Sequence, residues 1–268
     1  AIRTFKGLVA DLRIKNTKLK DLFLEYSQKF KDVKNEPPDG GTFRVGEPSL
    51  PKSAYDKMSI ADLKKSFLKI TRDHHDFQNW DKPTVPGHAQ AFAKYVEENW
   101  TKYKELIVDI SSDSKYNILY SVHACIGLSK AKADVKFVAE VIERVIQRTN
   151  DFRSWSIGFL NSIEYVIDNN GLTKIIFDYI FNIAYNKSNE YPNEDDRYKD
   201  ENQIVTFSYS DRGLAAANLI KCYRYNQYAD RIFEAMFKIA DDWNLSTRIA
   251  VIYSMAFLQN IDAKRNIE

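Results

Sequence analysis

The chain has 268 residues, 44% of them hydrophobic, so it is long enough to bury a continuous core. Its 39 basic residues nearly balance 37 acidic ones, and a net charge of +2 does not favour binding to the nucleic-acid backbone. Its two cysteines, Cys125 and Cys222, are too few for a disulfide framework or a thiolate zinc site, which favours a reducing, cytoplasmic location.

Apolar residues recur at spacings of three and four along almost the whole chain, which is typical of amphipathic helices. Two helices are predicted within residues 2–33. Ser59 is then a predicted N-cap, because Asp62 follows three residues later as in a capping box. Further helices are predicted within residues 89–96, 103–110, 119–126, 135–145, 152–168, 171–185, 211–223, 229–243 and 245–260. No apolar run approaches the ~18 residues of a membrane helix, and the first residues lack the apolar core of a signal peptide.

Two segments interrupt this pattern. Prolines and glycines in residues 35–57 predict a long loop. Residues 187–203 are polar and acid-rich, which predicts a second long loop. Residues 203–210 alternate like a strand, but an isolated strand has no pairing partner, so we interpret them as loop or helix entry.

Consecutive amphipathic helices with short connections predict an all-α fold. We expect a HEAT/armadillo/TPR-like solenoid of about a dozen helices, with a globular all-α domain as the alternative. The helical pattern is already running at the first residue, which is not methionine. Residues 1–268 are therefore interpreted as one helical-repeat segment of a larger multidomain protein.

The stretch "RDHHDFQNWDKPTVPGH", residues 72–88, holds three of the four histidines. Adjacent His74 and His75 would point about 100° apart on a helix, so they cannot share a metal as an i, i+4 pair would. We interpret the stretch as the end of the helix that begins after Ser59, followed by a connection. No HExxH, CxxC, GxSxG or glycine-rich phosphate loop is found, so we expect no metal, no cofactor and no catalytic activity in this chain.

A contact patch is one interpretation of "KCYRYNQY", residues 221–228. Tyrosine and arginine are enriched at binding hot spots, so Tyr223, Arg224, Tyr225 and Tyr228 are the candidate protein-binding residues. The alternative is a helix end followed by a turn. Elsewhere, Arg212 and Arg248 are interpreted as structural arginines between neighbouring repeats, and both cysteines as small buried hydrophobic residues.

Several segments resemble the helical-repeat region of bacterial Avs-type STAND NTPases, which are antiviral sensors. They are "SLPKSAYDKMSIADLKKSFLKI", "HAQAFAKYVEENWTKYKELIVDI", "YNILYSVHACIGLSKA", "SDRGLAAANLIKC" and "ADDWNLSTRIAVIYSMAFL". The resemblance covers roughly residues 45–262 and its motifs are diffuse. It implies a non-catalytic sensor segment downstream of an effector and an NTPase.

In that family the sensor binds a viral protein such as phage terminase or portal and drives assembly of the active oligomer. The resemblance thus implies a large protein ligand, with neither nucleic acid nor membrane as partner, and oligomerisation only in the longer protein. Two alternatives stay open. One is a HEAT-like nucleic-acid-binding or DNA glycosylase domain, which would need a basic groove, and the other is a passive protein–protein scaffold.

Overall fold

A computed structural model describes residues 49–73, 82–148, 156–185 and 211–240, together with residue 247. All of them fall within one compact unit, Gly46–Glu268. The regular structure of these residues is entirely helical, with nine α-helices and no strand. The all-α prediction is confirmed to this extent. The two helices predicted within residues 2–33 and most of the one predicted within 245–260 lie outside the described residues.

The helices follow one another with few long connections. In chain order they are α1 (Lys52–Tyr55), α2 (Ile60–Lys69), α3 (Val85–Ser112), α4 (Ile118–Lys130), α5 (Val135–Arg148), α6 (Ser156–Asp168), α7 (Lys174–Tyr185), α8 (Asp211–Lys221) and α9 (Asn226–Ala240). A 3-10 turn, Cys222–Arg224, joins α8 to α9.

The prediction of a loop over residues 35–57 is wrong at Lys52–Tyr55, which form helix α1. Its single turn follows Pro51, which stands at the N-cap with φ −64°, and its Tyr55 side chain is buried at 6% exposure. The burial of one aromatic side chain outweighs the loop-forming composition of the sequence around it. Residues 35–48 and the predicted loop 187–203 lie outside the described residues.

The predicted capping box at the start of α2 is confirmed. The Ser59 hydroxyl accepts a hydrogen bond from the Asp62 amide at 3.2 Å, and the Asp62 carboxylate accepts one from the Ser59 amide at 3.2 Å. These two bonds satisfy donors that the first helical turn leaves unpaired. The apolar spacing then turns Leu63 and Phe67 into the core.

Helix α3 contains a break where two separate helices were predicted. Asn99 has φ −155° and ψ 69°, and its side-chain oxygen accepts hydrogen bonds from the Thr101 hydroxyl and the Lys102 amide. Asn99 is thus an N-cap inside the helix. At the other end α3 begins at Val85, so His88 is helical and not part of a connection as the sequence suggested.

The helices from α3 onward form two rows. Helices α3, α5, α7 and α9 contact one another in that order, and so do α4, α6 and α8. Contacts between α3 and α4, α4 and α5, α5 and α6, α7 and α8, and α8 and α9 join the rows. Apolar side chains between the rows form the core, and residues 211–220 of α8 are all buried.

Helices α7 and α9 run parallel, and so do α6 and α8. The Arg231–Asp178 and Lys238–Tyr185 hydrogen bonds between α9 and α7 both join residues 53 positions apart, which only parallel helices allow. The hydrogen bonds between α8 and α6 or from the turn after α8 to α6 span 53 to 58 positions. Those between α6 and α4 and between α5 and α3 span 33 and 38.

Helices α4 and α6 also end in the same way. Lys132 and Asn170 follow these helices with φ values of 51° and 61°. The next amides, of Ala133 and Gly171, donate to the carbonyls of Leu128 and Val166, five residues earlier, at 3.0 and 2.8 Å. This is the six-to-one bond of a Schellman motif. Helices α4 and α6, neighbours in one row, therefore end in the same type of C-terminal cap.

Candidate interaction surface

The contact residues predicted from the sequence lie at the connection between α8 and α9. The prediction is wrong for Tyr223. Its side chain is buried at 5% exposure, because the 3-10 turn points it into the core. The hydrophobic gain from burying an aromatic ring explains its position. It cannot contribute an exposed contact, whereas Arg224, Tyr225 and Tyr228 are each partly exposed.

Arg224 and Tyr225 fasten the turn to α6. The Arg224 guanidinium donates to the Asp168 carboxylate at 3.1 Å, and the Tyr225 hydroxyl donates to the Ile167 carbonyl at 2.9 Å. Lys221 adds ion pairs to Asp168 and to a second carboxylate of α6. Burial raises the pKa of Tyr225, so its hydroxyl stays a donor near neutral pH. The contacts at these two residues are structural.

Tyr228 begins an aromatic cluster between α7 and α9. Its ring stacks on Phe177, with centroids 3.9 Å apart and planes at 8°. The Arg231 guanidinium lies 3.9 Å from the centre of the Phe181 ring and donates to Asp178 at 2.8 Å. The Phe181 ring and the Asp178 carboxylate together hold the Arg231 side chain in place, although it is 48% exposed.

The cluster continues to the end of both helices. Phe181 stacks on Tyr185, and the Lys238 ammonium donates to the Tyr185 hydroxyl at 2.6 Å. Phe237 of α9 contacts Phe233 of the same helix edge-on and is itself 65% exposed. We refer to the partly or fully exposed residues that these two helices present, Phe181, Tyr185, Arg231, Phe237 and Lys238, as the α7–α9 surface.

Sequence reasoning missed most of this surface. The repeat of Phe177, Phe181 and Tyr185 at intervals of four was visible in the sequence, and such spacing places three aromatic rings along one side of a helix. Nothing in the sequence indicated that Arg231, 54 and 50 positions away, covers the rings of Phe177 and Phe181.

Several positive charges on the described surface are paired with carboxylates. Lys174 and Arg231 share Asp178, whose pKa is lowered first by the hydrogen bond from Lys174. A hollow of about 640 Å³ beside the end of α3 is likewise lined by paired groups, among them Lys64 with Asp109. These contacts agree with the mixed surface expected from the sequence.

His88 is buried in a hydrogen-bonded network. Its Nδ1 bonds to the Tyr55 hydroxyl, and its Nε2 lies 2.9 Å from Ser66 Oγ, which donates to the Leu63 carbonyl at 2.8 Å. Because Ser66 uses its proton on that carbonyl, the imidazole carries its proton on Nε2 and accepts from Tyr55. Burial lowers the pKa of His88 to about 4. The side chain is 0% exposed, so this serine–histidine pair is closed to a substrate.

His74 and His75 lie outside the described residues, and the prediction that they bind no metal stays a prediction. Among the residues that the structure describes, no group of three or more His, Cys, Asp or Glu side chains is placed to hold a metal ion. None of the described helices combines the length and apolarity needed to cross a membrane. Cys125 and Cys222 are buried, as expected.

No protein-family model matches the sequence, and neither a curated protein nor a solved structure shows significant similarity to it.

Proposed function

We propose that this chain is a non-catalytic helical-repeat module that recognises a large protein ligand, as the sensor segment of an Avs-type STAND NTPase. The observation that supports the proposal is the pair of helix rows, in which alternate helices contact one another in chain order. Stacked repeats of this kind use extended surfaces for recognition. The resemblance of residues 45–262 to the helical-repeat region of Avs-type STAND NTPases links the chain to antiviral sensors.

The α7–α9 surface is the proposed contact region. Phe237 is 65% exposed, the largest value among the large hydrophobic side chains that the structure describes. Arg231 and Tyr185 lie on the same pair of helices, and aromatic and arginine side chains dominate binding energy at protein interfaces. We expect a phage protein such as terminase or portal to contact this surface, and the contact to promote oligomerisation of the longer, cytoplasmic protein.

A HEAT-like nucleic-acid-binding domain is the second candidate. It requires unpaired positive charge along a groove, because affinity for nucleic acid comes largely from phosphate neutralisation. The ion pairs of Lys64, Lys174 and Arg231 with carboxylates argue against it in the described region. A passive scaffold is the third candidate, and an NTPase motif upstream in the longer protein would distinguish the sensor from it.

The test is protection against phage by the longer protein carrying Phe237→Ser. Leu68→Ser is the matched control, since Leu68 on α2 is also exposed, at 45%, but lies outside the α7–α9 surface. We expect Phe237→Ser to reduce protection and Leu68→Ser to preserve it at equal protein levels. Full protection by both variants would remove the α7–α9 surface from the proposal. Protection that survives removal of residues 46–268 would remove the sensor role itself.

A further inference from the structure

We propose that Tyr55 and His88 form an acid-sensitive latch, which holds α1 against the helical body and releases it when the imidazole is protonated. The proposal concerns a conformational device and is independent of which ligand the α7–α9 surface binds.

Tyr55 is the side chain through which α1 is attached. It is the one buried residue of this four-residue helix. Its ring stacks on Tyr95 of α3 at 5.0 Å and lies 5.2 Å from the His88 ring. Tyr95 in turn directs its hydroxyl to Asp56 at 3.2 Å. A single turn of helix is not stable alone, so these contacts decide whether α1 persists.

The hydrogen bonds at His88 suit the neutral ring. Nδ1 accepts from the Tyr55 hydroxyl while Nε2 donates to Ser66 on α2, so one imidazole joins α1, α2 and α3. Protonation turns Nδ1 into a donor. The Tyr55 hydroxyl proton must then leave Nδ1, and the other acceptor in its reach is the His88 carbonyl, at 3.3 Å. Protonation therefore reverses the bond that attaches α1.

No described side chain that faces the ring can neutralise an imidazolium. Tyr55 faces it from α1, Ser66 and Phe67 from α2, and Tyr120 from α4. All four are uncharged near neutral pH, and burial raises the pKa of both tyrosines further. The nearby carboxylate of Asp56, the C-cap residue of α1, accepts from the Tyr95 hydroxyl instead. A buried charge without a partner is costly, and opening to water relieves that cost.

The direction of the effect follows from linkage. The pKa of His88 is lowered to about 4 in the closed form, against about 6.5 for a solvated histidine. The open form therefore binds the proton more tightly. The contribution of the latch to the stability of the closed form is complete above the pKa of a solvated histidine. It is lost as pH falls through the lower pKa of His88 in the closed form. Within that window, each pH unit shifts the open-to-closed ratio by up to about tenfold.

The test is an NMR titration of the whole chain from pH 7 to pH 4, which follows the His88 ring and the amides of Tyr55 and Asp56. We expect the closed-state amide signals to disappear as His88 titrates, and His88→Gln to retain them down to pH 4. His123→Gln is the matched control, because burial also lowers the pKa of His123 to about 4 but this residue lies on α4 and contributes no bond to α1.

If His88→Gln does not fold, Tyr55→Phe replaces it. This variant keeps the ring stack but lacks the hydroxyl, so α1 should be released at a higher pH than in the unchanged chain, with the far-UV circular dichroism of the body preserved. Release at the same pH in either variant as in the unchanged chain would overturn the latch. Amide signals that stay closed through the titration of His88 would overturn it as well.

Discussion

The Arg231 guanidinium on α9 donates to the Asp178 carboxylate on α7 at 2.8 Å, across 53 positions of sequence. Lys238 and Tyr185 repeat that separation, and the hydrogen bonds between α6 and either α8 or the turn after it span 53 to 58 positions. Separations of 33 and 38 occur before α7. The separations rise in both rows across the connection formed by residues 186–210. It has 25 residues, 20 more than the connection formed by residues 113–117, and we refer to this excess as the insertion.

Removing the insertion should preserve the fold. Deletion of residues 187–206 leaves five residues between α7 and α8, as between α3 and α4, where residues 113–117 form the connection. Helices α7 and α8 contact each other as α3 and α4 do, and a shorter loop costs less closure entropy. We expect helical content and thermal stability, measured by circular dichroism, to be at least those of the full chain. A shuffled insertion of the same composition is the control. Unfolding after the deletion alone would show that the inserted residues belong to the core.

Local features of this fold could be predicted from the sequence, whereas relationships between distant residues could not. The three-and-four spacing and the Ser59–Asp62 pair depend on neighbours within one turn, so they were visible. The stacking of Tyr228 on Phe177 and the burial of Tyr223 depend on how helices pack. Helix α1 was missed for the same reason, since its single turn depends on contacts made 33 positions away.

Gly127 on α4 tests the contact between the two rows. A Cβ atom there would lie 2.4 Å from the Ala93 carbonyl oxygen of α3, a backbone atom that cannot move aside by itself. We expect Gly127→Ala to lower the free energy of unfolding by about 1–3 kcal/mol or more, as overpacking does in cores, despite the better helix propensity of alanine. Urea denaturation measures this.

The matched control is Gly158→Ala on α6. Its added Cβ would meet the Cδ1 atom of Ile126, the mobile end of a side chain, at 2.7 Å. Rotation of that isoleucine can relieve the clash, so the loss should be clearly smaller than at Gly127. Equal losses at the two sites would mean that α3 and α4 are not in close backbone contact.

Lys132, after the end of α4, occupies the left-handed region with φ 51°. A side chain with a Cβ atom is strained there by about 1–2 kcal/mol, which glycine avoids, although glycine adds entropy to the unfolded chain. We expect Lys132→Gly to raise the melting temperature by about 2–4 °C, the shift that ~1 kcal/mol produces in a chain of this size. Lys132→Ala keeps the backbone strain, so the melting temperature of this variant should equal that of the unchanged chain. A lower melting temperature for the glycine variant would contradict the shared helix ending.

The most direct test of the sensor proposal is complex formation between this chain and the phage protein that triggers the longer protein. Each candidate, terminase and portal first, is co-expressed with the chain and the complex is measured by size-exclusion chromatography with light scattering. We predict one stable complex, which Phe237→Ser weakens by more than tenfold and Leu68→Ser preserves. If the longer protein responds to a purified phage protein that this chain does not bind, recognition lies elsewhere and the proposal is wrong.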